Sequence, residues 1–292
     1  MSQTDHSAAM GLGIGPAVGD LVAGALALAQ RPERESPSAV HEIRVTLKRL
    51  RAAARLAEPL VGRETFRRAD DAFRDAGRLL AGRRDADVLA ATMRRVVKRA
   101  PKGDRAVILA IGNELPLPAA APPADWPGVI TRIREGAAAL DAALAPTGGC
   151  VDVAPGLRGT YRKARRFGKW ALRSGVPEDA HRWRRWVKHL LYQAHLLEAA
   201  VHKPAMGKKR MKRLTRLGRL LGTHHDLALL RAAAEQIPSS NSPARDRLLA
   251  VVGALETELL ARAGKLSGKT LDDKPERFIE QAAVAVDKAR GC

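Results

Sequence analysis

The sequence predicts an all-α protein made of two similar helical bundles related by an approximate two-fold axis. Three observations carry that expectation. Helical periodicity runs through the 292 residues, and strand-like alternation is scarce. The composition is 46% hydrophobic but only 3% aromatic, with Ala and Leu plentiful. Such unbranched side chains lose little rotamer freedom in a helix. Finally, two blocks recur in the same order. His41, Arg44, Lys48 and Leu50 reappear as His181, Arg184, Lys188 and Leu190 at an offset of 140, and "GRLLAGRRDADVL" (77–89) reappears as "GRLLGTHHDLALL" (218–230) at 141. One inserted residue reconciles the offsets, and Arg67 and Arg68 then fall on Lys208 and Lys209. Near-constant spacing of two blocks indicates an internal duplication.

Taken in order, helices are expected near 16–30, 37–58, 63–81 and 85–100, with a shorter one near 103–113. A proline-rich connector, "LPLPAAAPPADWPG" (115–128), precedes a helix near 128–145. The stretch "APTGGCVDVAPG" (145–156) breaks the chain again. The second series lies near 157–174, 177–202, 206–222, 225–236, 243–264 and 275–290. Ser36 followed by Pro37 reads as a helix cap and first-turn proline, and Pro177 starts its counterpart. These breaks divide the chain into a first repeat over 12–145 and a second over 156–292.

Residues 12–30 read as a core helix. The run "LVAGALALAQ" imitates a cleavable signal, but no Lys or Arg precedes Arg31, and Asp20 and four glycines interrupt the apolar stretch. No stretch is long and apolar enough to span a membrane. The two cysteines, Cys150 and Cys292, form no CxxC pair, which fits a reducing interior and no zinc knuckle.

Charge is the informative excess: 51 Lys and Arg against 31 Asp and Glu, a formal +20. It points to an anionic partner such as nucleic acid, an anionic membrane or a polyanion. At about 100° per residue, His41, Arg44, Lys48, Arg51 and Arg55 share an arc of roughly 80°, beside an apolar edge of Val40, Ile43, Leu47, Leu50 and Ala54. His181, Arg184, Lys188 and His195 occupy the matching arc, flanked by Arg185 and Tyr192. A third set, Lys208, Lys212, Arg216 and Arg219, clusters on one side of its helix, with Lys209 and Arg213 alongside. A merely solvated face would mix signs, since like charges at i,i+4 cost a few tenths of a kcal/mol per pair. The first stripe holds no acid, so a bound anion is the better account.

These blocks, "HEIRVTLKRLR" with "LLAGRRDADVL" and "HRWRRWVKHLLYQ" with "LLGTHHDLALL", resemble the paired signatures of the CHAD family of histidine-containing α-helical domains. The resemblance covers the chain from about residue 12 to its end. It implies one internally duplicated all-helical domain over 1–292, with a basic cavity near the pseudo-two-fold axis. It also implies binding of inorganic polyphosphate and a cytoplasmic place at polyphosphate granules. Carried over by position, the candidate ligands are His41, Arg44, Lys48 and Arg51, opposite His181, Arg184 and Lys188, with Arg78 and Arg219 from the third helix of each half. His189 and Leu191 stand where the first half has Arg49 and Arg51; His195, Lys208 and Lys212 supply charge there instead. The physical chemistry agrees: the 15 Å or so from His41 to Arg51 along a helix accommodates several phosphates, and guanidinium forks match phosphate oxygens.

Other patterns rank lower. Six of eight histidines lie between His181 and His225, yet no carboxylates or cysteines accompany them as metal ligands require, so no metal or other cofactor is expected. Asp85 and Asp226 recur before helical segments and read as helix caps, Asp85 beside Arg84. Trp183 and Trp186 beside Arg182 and Arg185 could stack bases, but core packing is the plainer reading. "YRKARRFGKWALR" (161–173) is a basic amphipathic helix of the kind that packs within its own protein. No GxxxxGK[ST], HExxH, GxSxG or ExExK pattern occurs, so no enzyme is expected. Nucleic acid at low salt is the rival partner, with a nucleoid-associated role as the alternative function; no membrane partner is expected.

Overall fold

Ten α-helices make up most of the residues described, which are 10–81, 85–116, 123–145, 150–203, 205–238 and 242–290 of a computed structural model. They are α1 (Gly15–Gln30), α2 (Pro37–Leu79), α3 (Asp85–Arg99), α4 (Arg105–Gly112), α5 (Trp126–Leu144), α6 (Ala154–Ser174), α7 (Pro177–Val201), α8 (Lys208–Ala234), α9 (Ser242–Ser267) and α10 (Pro275–Arg290). The protein is all-α apart from one short ribbon. Proline occupies the first turn of α1, α2, α5, α6 and α7, where its missing N–H would have had no partner in the helix. Ser36 caps α2 as expected, its Oγ accepting from the Ala39 N–H at 3.3 Å.

Four expectations need correction. Residues 11–13 form a strand, β1 (Gly11–Gly13), and α1 starts only at Gly15. The supposed loop around Cys150 is its partner, β2 (Cys150–Asp152), paired antiparallel with Leu12 opposite Val151. The two helices expected over 37–81 are arms of a single element, α2, kinked at Gly62. There φ is 81°, a left-handed value that glycine adopts without the steric penalty of a Cβ. The break expected at 222–225 is absent: α8 runs straight through. Asp226 therefore lies inside a helix and cannot cap one. The Asp85 side chain and Arg84 lie outside the described residues.

The kinked arms of α2 are fastened to each other by two arginines. Arg44 Nη1 donates to the carbonyl of Leu80 at 2.7 Å, satisfying an end-of-helix acceptor. Arg51 grips Asp70 with both prongs, at 2.9 and 3.0 Å. On the opposite edge Ile43, Leu47 and Leu50 are fully buried, each contributing on the order of 2 kcal/mol by leaving water.

Two apolar cores result. The larger gathers side chains of α1, α2, α5, α6, α7 and α10 with the first half of α8. The smaller joins α3 and α4 to the second half of α8 and to α9, through Met93, Val96, Ile108, Leu230 and Val252. The cores are thus not divided along the sequence at the break near 145–156. Tyr161 of α6 stacks on Phe278 at 3.9 Å, and its hydroxyl donates to the Asp273 carbonyl, which docks α10. Among the described residues no helix is long and apolar enough to cross a membrane.

Candidate anion-binding site

Where α2 meets α7, a buried amide braces the two helices: Gln193 Nε2 donates to the Ala52 carbonyl at 3.1 Å. Beside this brace the basic edges of the helices open into one groove of about 430 Å³. From α2 come His41, Lys48, Arg49 and Arg51; from α7 come His181, Arg184, Arg185, Lys188 and His195. Val45, His189, Leu191 and Tyr192 complete the wall, and no carboxylate lines it.

The α7 side rests on α8. A methyl group placed on Gly218 would lie 3.9 Å from the Lys188 stem, and one on Gly222 would lie 3.8 Å from Arg184 Nε. Both distances are ordinary van der Waals contacts, so the two cations lie directly against α8. Farther along the same seam, His181 Nδ1 and His225 Nδ1 are 3.0 Å apart, so one imidazole donates and the other accepts.

Burial and mutual repulsion set the electrostatics. Burial, then Arg184, Arg219 and Arg49, hold the Lys188 ammonium below its ordinary range. His181 is lowered by burial, then by Arg184 and Arg185. His225 falls to about 4, through burial, then Arg184, His181, His224 and Lys48. His189, buried in the groove wall, is pushed down to about 3 by burial and then by Arg55, Arg51, Arg185 and Lys163. Burial also lowers Arg184, against the pull of Asp226. His181, His189 and His225 are consequently neutral near pH 7, while the surrounding Lys and Arg carry the positive field.

Of the thirteen candidate ligands, His41, Lys48, Arg51, His181, Arg184 and Lys188 converge here. The others do not line the groove. Arg44 is turned to Leu80. Arg55 lies between the rings of Phe66 and Trp186, 4.5 and 5.2 Å from their centroids. Arg78 pairs with Asp75 at 3.0 Å in a separate recess beside Asp125 and Glu135. Lys208 faces α10 near Gln281, and Lys212 is exposed on α8. Arg216 and Arg219 enter another recess with Arg95 and Arg99. Arg51 lines the groove but is already held by Asp70.

Two residues of the site escaped the helical-arc argument. Arg49 lies about 80° beyond His41 on the side of α2 away from the arc drawn, a full arc-width outside it. His225 was seen only as half of a metal-like pair; among the described residues no three His, Cys, Asp or Glu side chains converge as metal ligands. Trp183 is core, as its place beside Gly168 shows, and Trp186 is partly buried under Lys163.

The protein is all-helical apart from one short ribbon, with an acid-free cationic groove between two helices. The family follows from the sequence. The model of the CHAD domain matches residues 21–235, so the chain belongs to the CHAD family. The match runs from α1 to the end of α8, leaving α9 and α10 beyond it. No curated protein matches the chain in sequence.

Proposed function

We propose that the protein binds inorganic polyphosphate along the groove between α2 and α7, without hydrolysing it, as a cytoplasmic component of polyphosphate granules. The observation that carries this reading is the groove lining: six Lys and Arg side chains and four imidazoles would be costly together without an anion, and no acid on the wall offsets them. Arg49, Arg185 and Lys188 make no ion pair among the described residues, which leaves them available to phosphate oxygens. Family membership supports the same ligand. In this reading the halves carrying His41 and His181 are duplicated units, and the groove lies near their pseudo-two-fold axis as a central basic cavity.

The proposed site is non-catalytic because phosphoryl transfer to water ordinarily relies on a metal held by carboxylates, and the groove wall offers none. Titration with polyphosphate of defined length at several salt concentrations tests the function. If about six cations engage, log K should fall by about 4 per decade of salt, by analogy with single-stranded nucleic acids. Lys48→Ala with Lys188→Ala should weaken binding at least tenfold, leave helix content unchanged, and release no orthophosphate with added magnesium or manganese. Unaltered affinity would sink the groove as the site. Duplex DNA displacing long polyphosphate at moderate salt would favour a nucleoid-associated role instead.

A further inference from the structure

We propose that the recess between α3, α8 and α9 is a second anion subsite, into which the same phosphate chain passes over Arg219 after leaving the groove. This deepens the polyphosphate reading and rests on it. The recess, of about 310 Å³, is ringed by Arg95 and Arg99 of α3, Arg216 and Arg219 of α8, and Arg262 of α9. A solvated charge run belongs to one helix; here three helices aim guanidinium groups into one concavity.

A single carboxylate, Glu258, accompanies the five arginines, and both its oxygens are occupied. Oε2 accepts from Arg99 at 2.8 Å and Oε1 from Arg262 at 2.9 Å. Arg95, Arg216 and Arg219 make no ion pair among the described residues. The floor is leucine, Leu220, Leu227, Leu255 and Leu259, a low-dielectric wall that strengthens the field above it.

Continuity with the groove comes from α8. Lys188 packs its stem across Gly218, and the next residue, Arg219, is turned about 100° further round the helix into the recess. Arg219 is also close enough to Lys188 to help hold its ammonium below the ordinary range. Arg262 lies past residue 235, where the family match ends, while Arg95, Arg99, Arg216 and Arg219 lie within it; of these only Arg219 is among the ligands carried over by position from the family.

The test compares tripolyphosphate, too short to leave the groove, with long-chain polyphosphate, on the full chain. The variants are Arg95→Gln with Arg262→Gln, which leaves Arg99 to hold Glu258, and Lys48→Gln with Lys188→Gln. The first should leave tripolyphosphate affinity unchanged, weaken the long chain about tenfold and lower its salt slope by about 1.4. The second should weaken both ligands. No loss of long-chain affinity in R95Q/R262Q, or an equal loss for both ligands, overturns the subsite whatever the groove variant does. Normal binding of both ligands by K48Q/K188Q overturns the groove reading instead.

Discussion

Acidification should tighten polyphosphate binding, and the His181–His225 pair sets by how much. In the free protein His225 titrates at about 4, and burial with neighbouring cations also holds His181 down. Near pH 7 both are neutral and share one hydrogen bond across 3.0 Å. A polyanion in the groove offsets the cations that depress them, so the bound state takes up a proton more readily than the free one. The direction follows from linkage: the affinity gain begins as pH falls through the higher, bound-state value, and it is complete below the lower, free-state value. If binding returns His225 only to the ordinary 6.5, the affinity ratio at about pH 5.5 is about 10, or roughly 1.4 kcal/mol. Lys and Arg do not titrate in that window, and a long chain makes its titrating terminal phosphates a negligible fraction of the charge. Fluorescence anisotropy with labelled long-chain polyphosphate at constant ionic strength, at about pH 8 and about pH 5.5, measures the ratio. Equal affinities, or a gain that persists undiminished in His181→Asn with His225→Asn although His41 and His195 also line the groove, would refute the argument.

Three further outcomes follow from the packing. Asp70→Asn should free Arg51 for phosphate and raise polyphosphate affinity severalfold, while lowering stability by about 2–3 kcal/mol in urea titrations because a largely buried pair is broken. His189 stays neutral down to about 3, whereas its unfolded form takes a proton near 6.5, so its contribution to stability is lost as pH falls through that interval. Between pH 7 and about 4.5 the loss should be roughly 2–3 kcal/mol, and His189→Leu should remove that part of the pH dependence. Gly156→Ala should destabilise by about 3 kcal/mol or more, because its methyl would sit 2.0 Å from the backbone oxygen of Leu56, where α6 crosses α2 and neither backbone can easily yield. A thermal melt unchanged by that substitution would contradict the close crossing.

What the sequence revealed was azimuth, and what it hid was partnership. The 3.6-residue period places His41 and Lys48 on one edge of α2 and His181 and Lys188 on one edge of α7, and those edges meet in the groove. The period says nothing about which arginine will find a nearer partner. Asp70 lies 19 residues beyond Arg51, and the Leu80 carbonyl lies 36 beyond Arg44. Both partners come within reach only because α2 bends at Gly62. The ribbon of β1 and β2 was invisible for a related reason: three residues are too few to show alternation, and Leu12 finds Val151 only in the folded chain. The sequence predicts a break at 222–225, where Gly222 and Thr223 are weak helix formers. Packing against α7 overrides that preference, and Arg184 lies beside Gly222, 3.8 Å from where a Cβ would stand.

The distribution of acids explains how the groove keeps its charge. Asp70 fixes Arg51, Glu58 lies 3.5 Å from Arg55, and Asp226 steadies Arg184, each from beside or behind the groove rather than from its lining. Those cations gain fixed positions, and the field in front of them loses little, because the balancing carboxylates are set back while Lys48, Arg49, Arg185 and Lys188 stand on the wall. The depressed ionisation of Lys188 and of the histidines is the free protein's measure of that unrelieved field, added to the larger effect of burial. On the proposed function, a phosphate chain would meet donors already oriented, and its binding would need little reorganisation. A Glu or Asp placed directly on the wall, for example at Val45, would neutralise the field without disturbing the core, and it should weaken binding more than loss of the neutral Val45 side chain by Val45→Ala.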